Sequence, residues 1–130
     1  MAAVTKGTLK PVTPVGYEVV DTGEAKTALA VGDLVSISTD TPANGNPKVW
    51  AKAAITGITE AHGIVLMAAV AGGPVTVGIC GEMDGYSSLT AGAALYPSTA
   101  TAGETDTSAI SGATVRMRAV STTRVRYNFV

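Results

Sequence analysis

The stretch HGIVLMAAVAGGPVTVGICG, residues 62–81, carries the reading of the fold. Two apolar runs flank Ala71, Gly72 and Gly73, the pattern of a tight β-hairpin in which a glycine supplies the positive φ that a three-residue loop demands. With that loop, Ala69 faces Val75, Met67 faces Val77 and Val65 faces Ile79 on one side of the ribbon. The other side carries Ile64, Leu66, Ala68 and Val70 with Thr76, Gly78 and Cys80. The first strand is therefore apolar on both faces and needs two covers. The chain's own core is one source for the second cover; a neighbouring subunit is the other.

Outward from this hairpin the same class of element recurs. Short apolar runs are broken by Gly, Pro, Asn and Asp, aromatic residues are sparse, and no window holds a clean helical stripe, although residues 22–32 could form one helical turn. These features predict an all-β fold in 130 residues, enough for one domain with a real core. Tyr17–Val20 reads as a short strand followed by a turn over Asp21–Gly23, and residues 39–47 are turn chemistry throughout. In Lys48–Ala53 the lone Trp50 shares a face with Lys48 and Lys52, which predicts an indole half exposed over lysine stems. Residues 81–86 read as a turn, Leu89–Tyr96 as a strand stopped by Pro97, residues 99–112 as a surface loop, and residues 114–130 as a second hairpin.

Two internal echoes organise these pieces. LAVGDLVSIST at 29 and LTAGAALYPST at 89 share Leu, Gly, Ser and Thr in register, and VLMAAVAGGPVTV at 65 matches VRMRAVSTTRVRY at 115 without a gap. The expectation is a small β-barrel or sandwich built from two strand-plus-hairpin units, each covering edges that the other would expose. Residues 1–16, with Pro11 and Pro14, read as an extended N-terminal arm preceding a single β domain over 17–130. The arm is expected to contact another chain rather than its own domain.

The net charge of −1 argues against a general polyanion binder. It averages over an asymmetry: residues 1–106 hold five Lys against ten acids, and residues 107–130 hold four Arg and no acid. With the first hairpin's register applied to the last, Arg116, Arg118, Arg124, Arg126 and Asn128 share one face, while Val115, Met117, Ala119, Val125, Tyr127 and Phe129 share the other. Such a patch is either a solvated face that blocks wrong strand pairing or a plate that meets carboxylates on a partner or on a second copy.

Readings as an enzyme find little support. His62 is the only histidine and no nucleophile motif accompanies it; one His and one Cys are too few for a zinc site; no glycine-rich loop opens a helix to cradle phosphate. Asp40, Asn44 and Asn46 lack the acid that closes a calcium loop, and Glu82 with Asp84 is an unsupported carboxylate pair. No catalytic, metal or cofactor-binding residue is expected. Cys80 cannot form an internal disulfide, residues 1–12 lack the pattern of a signal peptide, and no run approaches a membrane span, so neither membrane nor nucleic acid is expected as a partner.

The residues Gly81, Asp84, Gly85, Tyr86, Leu89, Gly92, Leu95 and Tyr96, followed by a Gly-Glu-Thr loop and a closing RAVSTTRVRYNFV, resemble the small capsid decoration (cement) proteins of tailed bacteriophages over roughly residues 29–130. That resemblance implies a compact, usually trimeric β domain without catalytic activity. It also implies binding to the major capsid protein on the outside of the virion after assembly in the host cytoplasm. The alternative is a connector or receptor-binding module of a tail or head fibre. Residues expected at a partner, capsid or neighbouring subunit, are Lys6, Lys10, Pro11 and Pro14 of the arm and Arg116, Arg118, Arg124 and Arg126 of the last hairpin.

Overall fold

A computed structural model describes residues 4–12, 18–53, 60–110 and 112–130. The described chain is all-β, with strands β1 (Lys6–Pro11), β2 (Val19–Ala25), β3 (Leu34–Ile37), β4 (Val49–Lys52), β5 (Gly63–Val65), β6 (Pro74–Tyr86), β7 (Ala94–Pro97), β8 (Thr105–Asp106), β9 (Met117–Ala119) and β10 (Arg124–Asn128). They join in the order β2-β4-β3-β5-β6-β10-β9-β7-β8. β2 also pairs with the first half of β6, so β2, β4, β3, β5 and β6 close a ring. β1 pairs with the second half of β6, and the Val4 N–H donates to the Thr105 carbonyl of β8 at 3.1 Å, a single bond between the ends of the second half. Closure of the first ring removes the free edges that half alone would present.

The 13-residue β6 is the shared element, returning from the first hairpin and then entering the second unit. The two units share one pairing pattern, although the second echo, which sets Ala68 against Arg118 and Met67 against Met117, does not mark the equivalent positions, since Ile64 stands where Arg118 does. β3 meets β5 as Leu34↔Ile64, and β7 meets β9 as Ala94↔Arg118. β5 meets β6 as Ile64↔Gly78, and β9 meets β10 as Arg118↔Arg126. Turns ahead of β3 and β7 repeat as well: Gly32 and Gly92 have φ of 89° and 87°, and Asp33 and Ala93 donate to the carbonyls of Ala30 and Thr90 at 3.1 and 3.0 Å. A left-handed residue is required at both places, which is why the glycine is one of the letters that the first echo shares.

Each unit has its own interior. Leu29, Val35, Trp50, Val65 and Val77 fill the first, while Leu89, Leu95, Met117, Ala119 and Val125 are part of the second. The second cluster also takes in Leu34, Ile64 and Leu66, so the outer face of the first hairpin lies under the second unit. Gly78 is the contact that permits this, because a methyl group there would run into the Tyr127 ring and hydroxyl. Over residues 63–66 both covers of the doubly apolar strand therefore come from its own chain, each buried aliphatic contributing about 1.5–3 kcal/mol, while Met67 and Val70 are left exposed.

Several expectations require correction. In the first hairpin Val65 pairs with Val77 rather than Ile79, a shift of two that preserves which face each residue takes. The cause is a longer connection: the Leu29 and Ala69 backbones exchange hydrogen bonds of 2.9 Å, and the turn closes only at Val70–Gly73, with Gly72 at φ 77°. Met67 is left 65% exposed. Asp21–Gly23 is ladder rather than turn, because it pairs with Val77–Val75, and residues 81–86 continue β6 because β10 and β1 pair on either side of them. β7 starts only at Ala94, since the Gly92 turn occupies the residues before it. Within the expected surface loop, Thr105 and Asp106 form the buried β8. Trp50 is fully buried in the first interior rather than half exposed, and Lys48 lies over its ring with Nζ 6.0 Å from the ring centroid and 2.6 Å from Asp21. The described part of the arm is extended, as expected, but residues 6–11 pair with their own β6, which is the contact the reading excluded. An unpaired β6 half offered the arm a ladder within the domain. Pro14 and Tyr17 lie outside the described residues.

Candidate partner-docking face

The outward face of the second unit carries the arginines in three cross-sheet rows. The central row runs Ala94, Arg118, Arg126, Glu82 across β7, β9, β10 and β6. On one side lies the row of Val120, Arg124 and Asp84, with the Val120 N–H donating to the Arg124 carbonyl at 2.9 Å. On the other lie Arg116, Asn128 and Cys80, with the Asn128 N–H donating to the Arg116 carbonyl at 2.9 Å. The second hairpin thus has the expected register and the expected division of faces. Over it opens a shallow groove of about 640 Å³ whose lining includes Val115, Arg116, Arg118, Val120, Arg126 and Asn128.

Three of the four guanidiniums have local acids. Arg126 places Nε and Nη2 at 2.9 and 2.6 Å from Glu82 Oε2, and Glu82 is itself only 7% exposed at its side chain. Arg124 lies 3.7 Å from Glu82 and 3.9 Å from Asp84. Arg116 donates to the Val130 carbonyl at 2.7 Å and lies 3.4 Å from Glu60. Arg118 is exposed, and it donates to the Gly92 carbonyl at 3.0 Å. The Gly85 N–H and Thr123, followed by the charges of Arg124 and Lys10, hold the Asp84 carboxyl below its ordinary range. Reading residues 81–86 as a turn concealed this, because only a strand places Glu82 and Asp84 on one face. The alternation in GEMDG was the available signal.

The remaining expected residues are dispersed. Lys6 pairs with Glu104 at 2.8 Å and Pro11 sits opposite Met83, so neither joins the rows of the arginine face, whereas Lys10 sits opposite Asp84 and carries the row of Val120, Arg124 and Asp84 onto β1. His62 accepts the Ile37 N–H at Nδ1 at 3.0 Å, a structural use of its ring. Asn44 and Asn46 belong to a turn held by Glu24, which accepts the Ala43 and Asn44 N–H groups at 3.2 and 3.0 Å and is thereby kept below the ordinary glutamate range. Asp40 pairs instead with Lys26 at 3.0 Å. Among the described residues no cluster of three metal-ligating side chains occurs, and no helix is long and apolar enough to cross a membrane.

Comparison with known proteins finds no matching family model, no matching curated protein and no matching solved structure.

Proposed function

We propose that the chain is a structural virion protein that binds the outer surface of a phage capsid as an oligomer, a homotrimer in this reading, and stabilises the shell through contacts with the major capsid protein. The observation that carries the reading is the contrast between a ring-closed β body and one open face with arginines and a groove. Guanidiniums in a strand-fixed array suit carboxylate recognition, and a ring-closed body resists shear because few edges can peel. The pattern behind the phage resemblance occupies structural positions, with Tyr86, Leu89 and Leu95 buried and Gly92 in the turn, so it bears on the fold and leaves the face to do the binding. Quantifying the chain in purified particles tests the reading. Copies in proportion to the shell's subunits, on the exterior, are expected; a handful at one vertex would favour a fibre connector, and absence from the particle would end the proposal.

A further inference from the structure

We infer that the outer face of the second unit docks an acidic, partly apolar segment of a different polypeptide, with Arg118 as the residue that takes the carboxylate. This deepens the shell-binding reading and rests on it for the identity of the partner, but not for the chemistry.

Charge accounting within the chain points to Arg118. Asp21, Asp40, Glu60, Glu82, Asp84 and Glu104 each hold a lysine or arginine of the same chain. The buried Glu24, Asp33 and Asp106 accept backbone N–H groups. Among the described residues Glu18 is the one acid outside these pairings, so a second copy would bring a single unengaged carboxylate. On the face itself, four guanidiniums and Lys10 meet Glu60, Glu82 and Asp84, and among the described residues Arg118 is the guanidinium with no acid against it. It stands directly opposite Arg126, a like-charge cross-strand pair that is unfavourable until an anion lies between the two.

The repeat locates the same surface on the first unit. There the row is Leu34, Ile64, Gly78, and the second unit covers it. The second unit offers the equivalent surface at the same register, open, with Val120 40% exposed beside the arginines. Exposed apolar flanks and one surplus guanidinium suit a segment alternating a carboxylate with a branched apolar residue. Nucleic acid fits worse, because its closely spaced phosphates would meet Glu60, Glu82 and Asp84 as well as the arginines.

Fluorescence anisotropy of a labelled peptide of alternating glutamate and valine, added to the full chain, tests this, with sedimentation recorded in parallel. Binding that weakens with salt is expected; Arg118→Gln should weaken it about tenfold, Arg118→Lys less, and Lys52→Gln should leave it unchanged. The chain's own mass should not respond to Arg118→Gln. The inference is overturned if wild type does not bind the peptide, if Arg118→Gln binds it as wild type does, if a single-stranded oligonucleotide binds the same face more tightly, or if Arg118→Gln instead dissociates a self-oligomer. Peptide binding without binding to shells would defeat the shell reading and leave this one standing.

Discussion

The β5–β6 and β9–β10 hairpins are one piece of architecture in two environments. Both pair in equivalent register, both turn one face into the interior of their own unit, and both receive a neighbouring strand at the same position. They differ in what lies on the other face. Ile64 and Gly78 are under the second unit, while Arg118 and Arg126 are exposed. A repeated β unit therefore stacks front to back, and the last copy is left with an exposed, arginine-bearing surface. An apolar surface there would invite a third copy or aggregation; arginines forbid that and permit a selective acidic partner.

Exchanging the two residues should break the symmetry of outcome by the widest margin. Ile64→Arg places a charge with no room or partner beneath the second unit and should cost more than about 4 kcal/mol, so that the chain fails to fold. Arg118→Ile should change stability by no more than about 0.5 kcal/mol in urea unfolding. Comparable losses for both would mean that the two faces are not differently covered.

A smaller effect is expected at the contact between the units. Gly78→Ala forces a methyl against the Tyr127 ring, and overpacking of this kind costs about 1–3 kcal/mol. Combining it with Tyr127→Phe, which removes the hydroxyl nearest that methyl, should recover part of the loss. A fully additive double variant would show that the two residues do not touch.

The mildest expected effect concerns pH. Asp21 is held below its ordinary value chiefly by Lys48, Asp40 by Lys26, and Glu24 by backbone N–H groups, all around the first unit; Asp84, on the second, is lowered by the Gly85 N–H first. Each binds its proton less readily folded than unfolded, so its stabilisation is complete above the ordinary values of 3.8 for aspartate and 4.5 for glutamate and disappears as pH falls through the lower folded values. Thermal melts should be insensitive from neutral pH down to about 5 and drop below about 4.5. Amide exchange should show the first unit loosening ahead of the second; the reverse order would remove these carboxylates from the account.

The class of fold, the two units and the arginine face were legible because they depend on alternation and turn chemistry, which are local. The last hairpin followed its pattern because four residues, Val120–Thr123, suffice to connect its paired strands. The first did not, because its connection leaves the ladder to pair with Leu29, a contact that lies 40 residues upstream and carries no local signal. Trp50 alternates with lysines in sequence, yet ring closure by β2 makes its face an interior. The acids that neutralise Arg124 and Arg126 were hidden for a similar reason. Whether Glu82 and Asp84 lie on a turn or a strand depends on β10 and β1, which arrive from opposite ends of the sequence. Tertiary pairing overrode glycine-rich local preference there.

The front-to-back stacking is tested most directly by thiol labelling. Ile64→Cys and Arg118→Cys sit at equivalent register positions, and each tolerates a thiol without adding charge or bulk. Under native conditions, with the buried Cys80 as an internal slow reference, a maleimide should modify position 118 at the rate of a free thiol and position 64 only as fast as the chain unfolds. Similar rates at the two positions in a folded chain would show that the second unit does not cover the first.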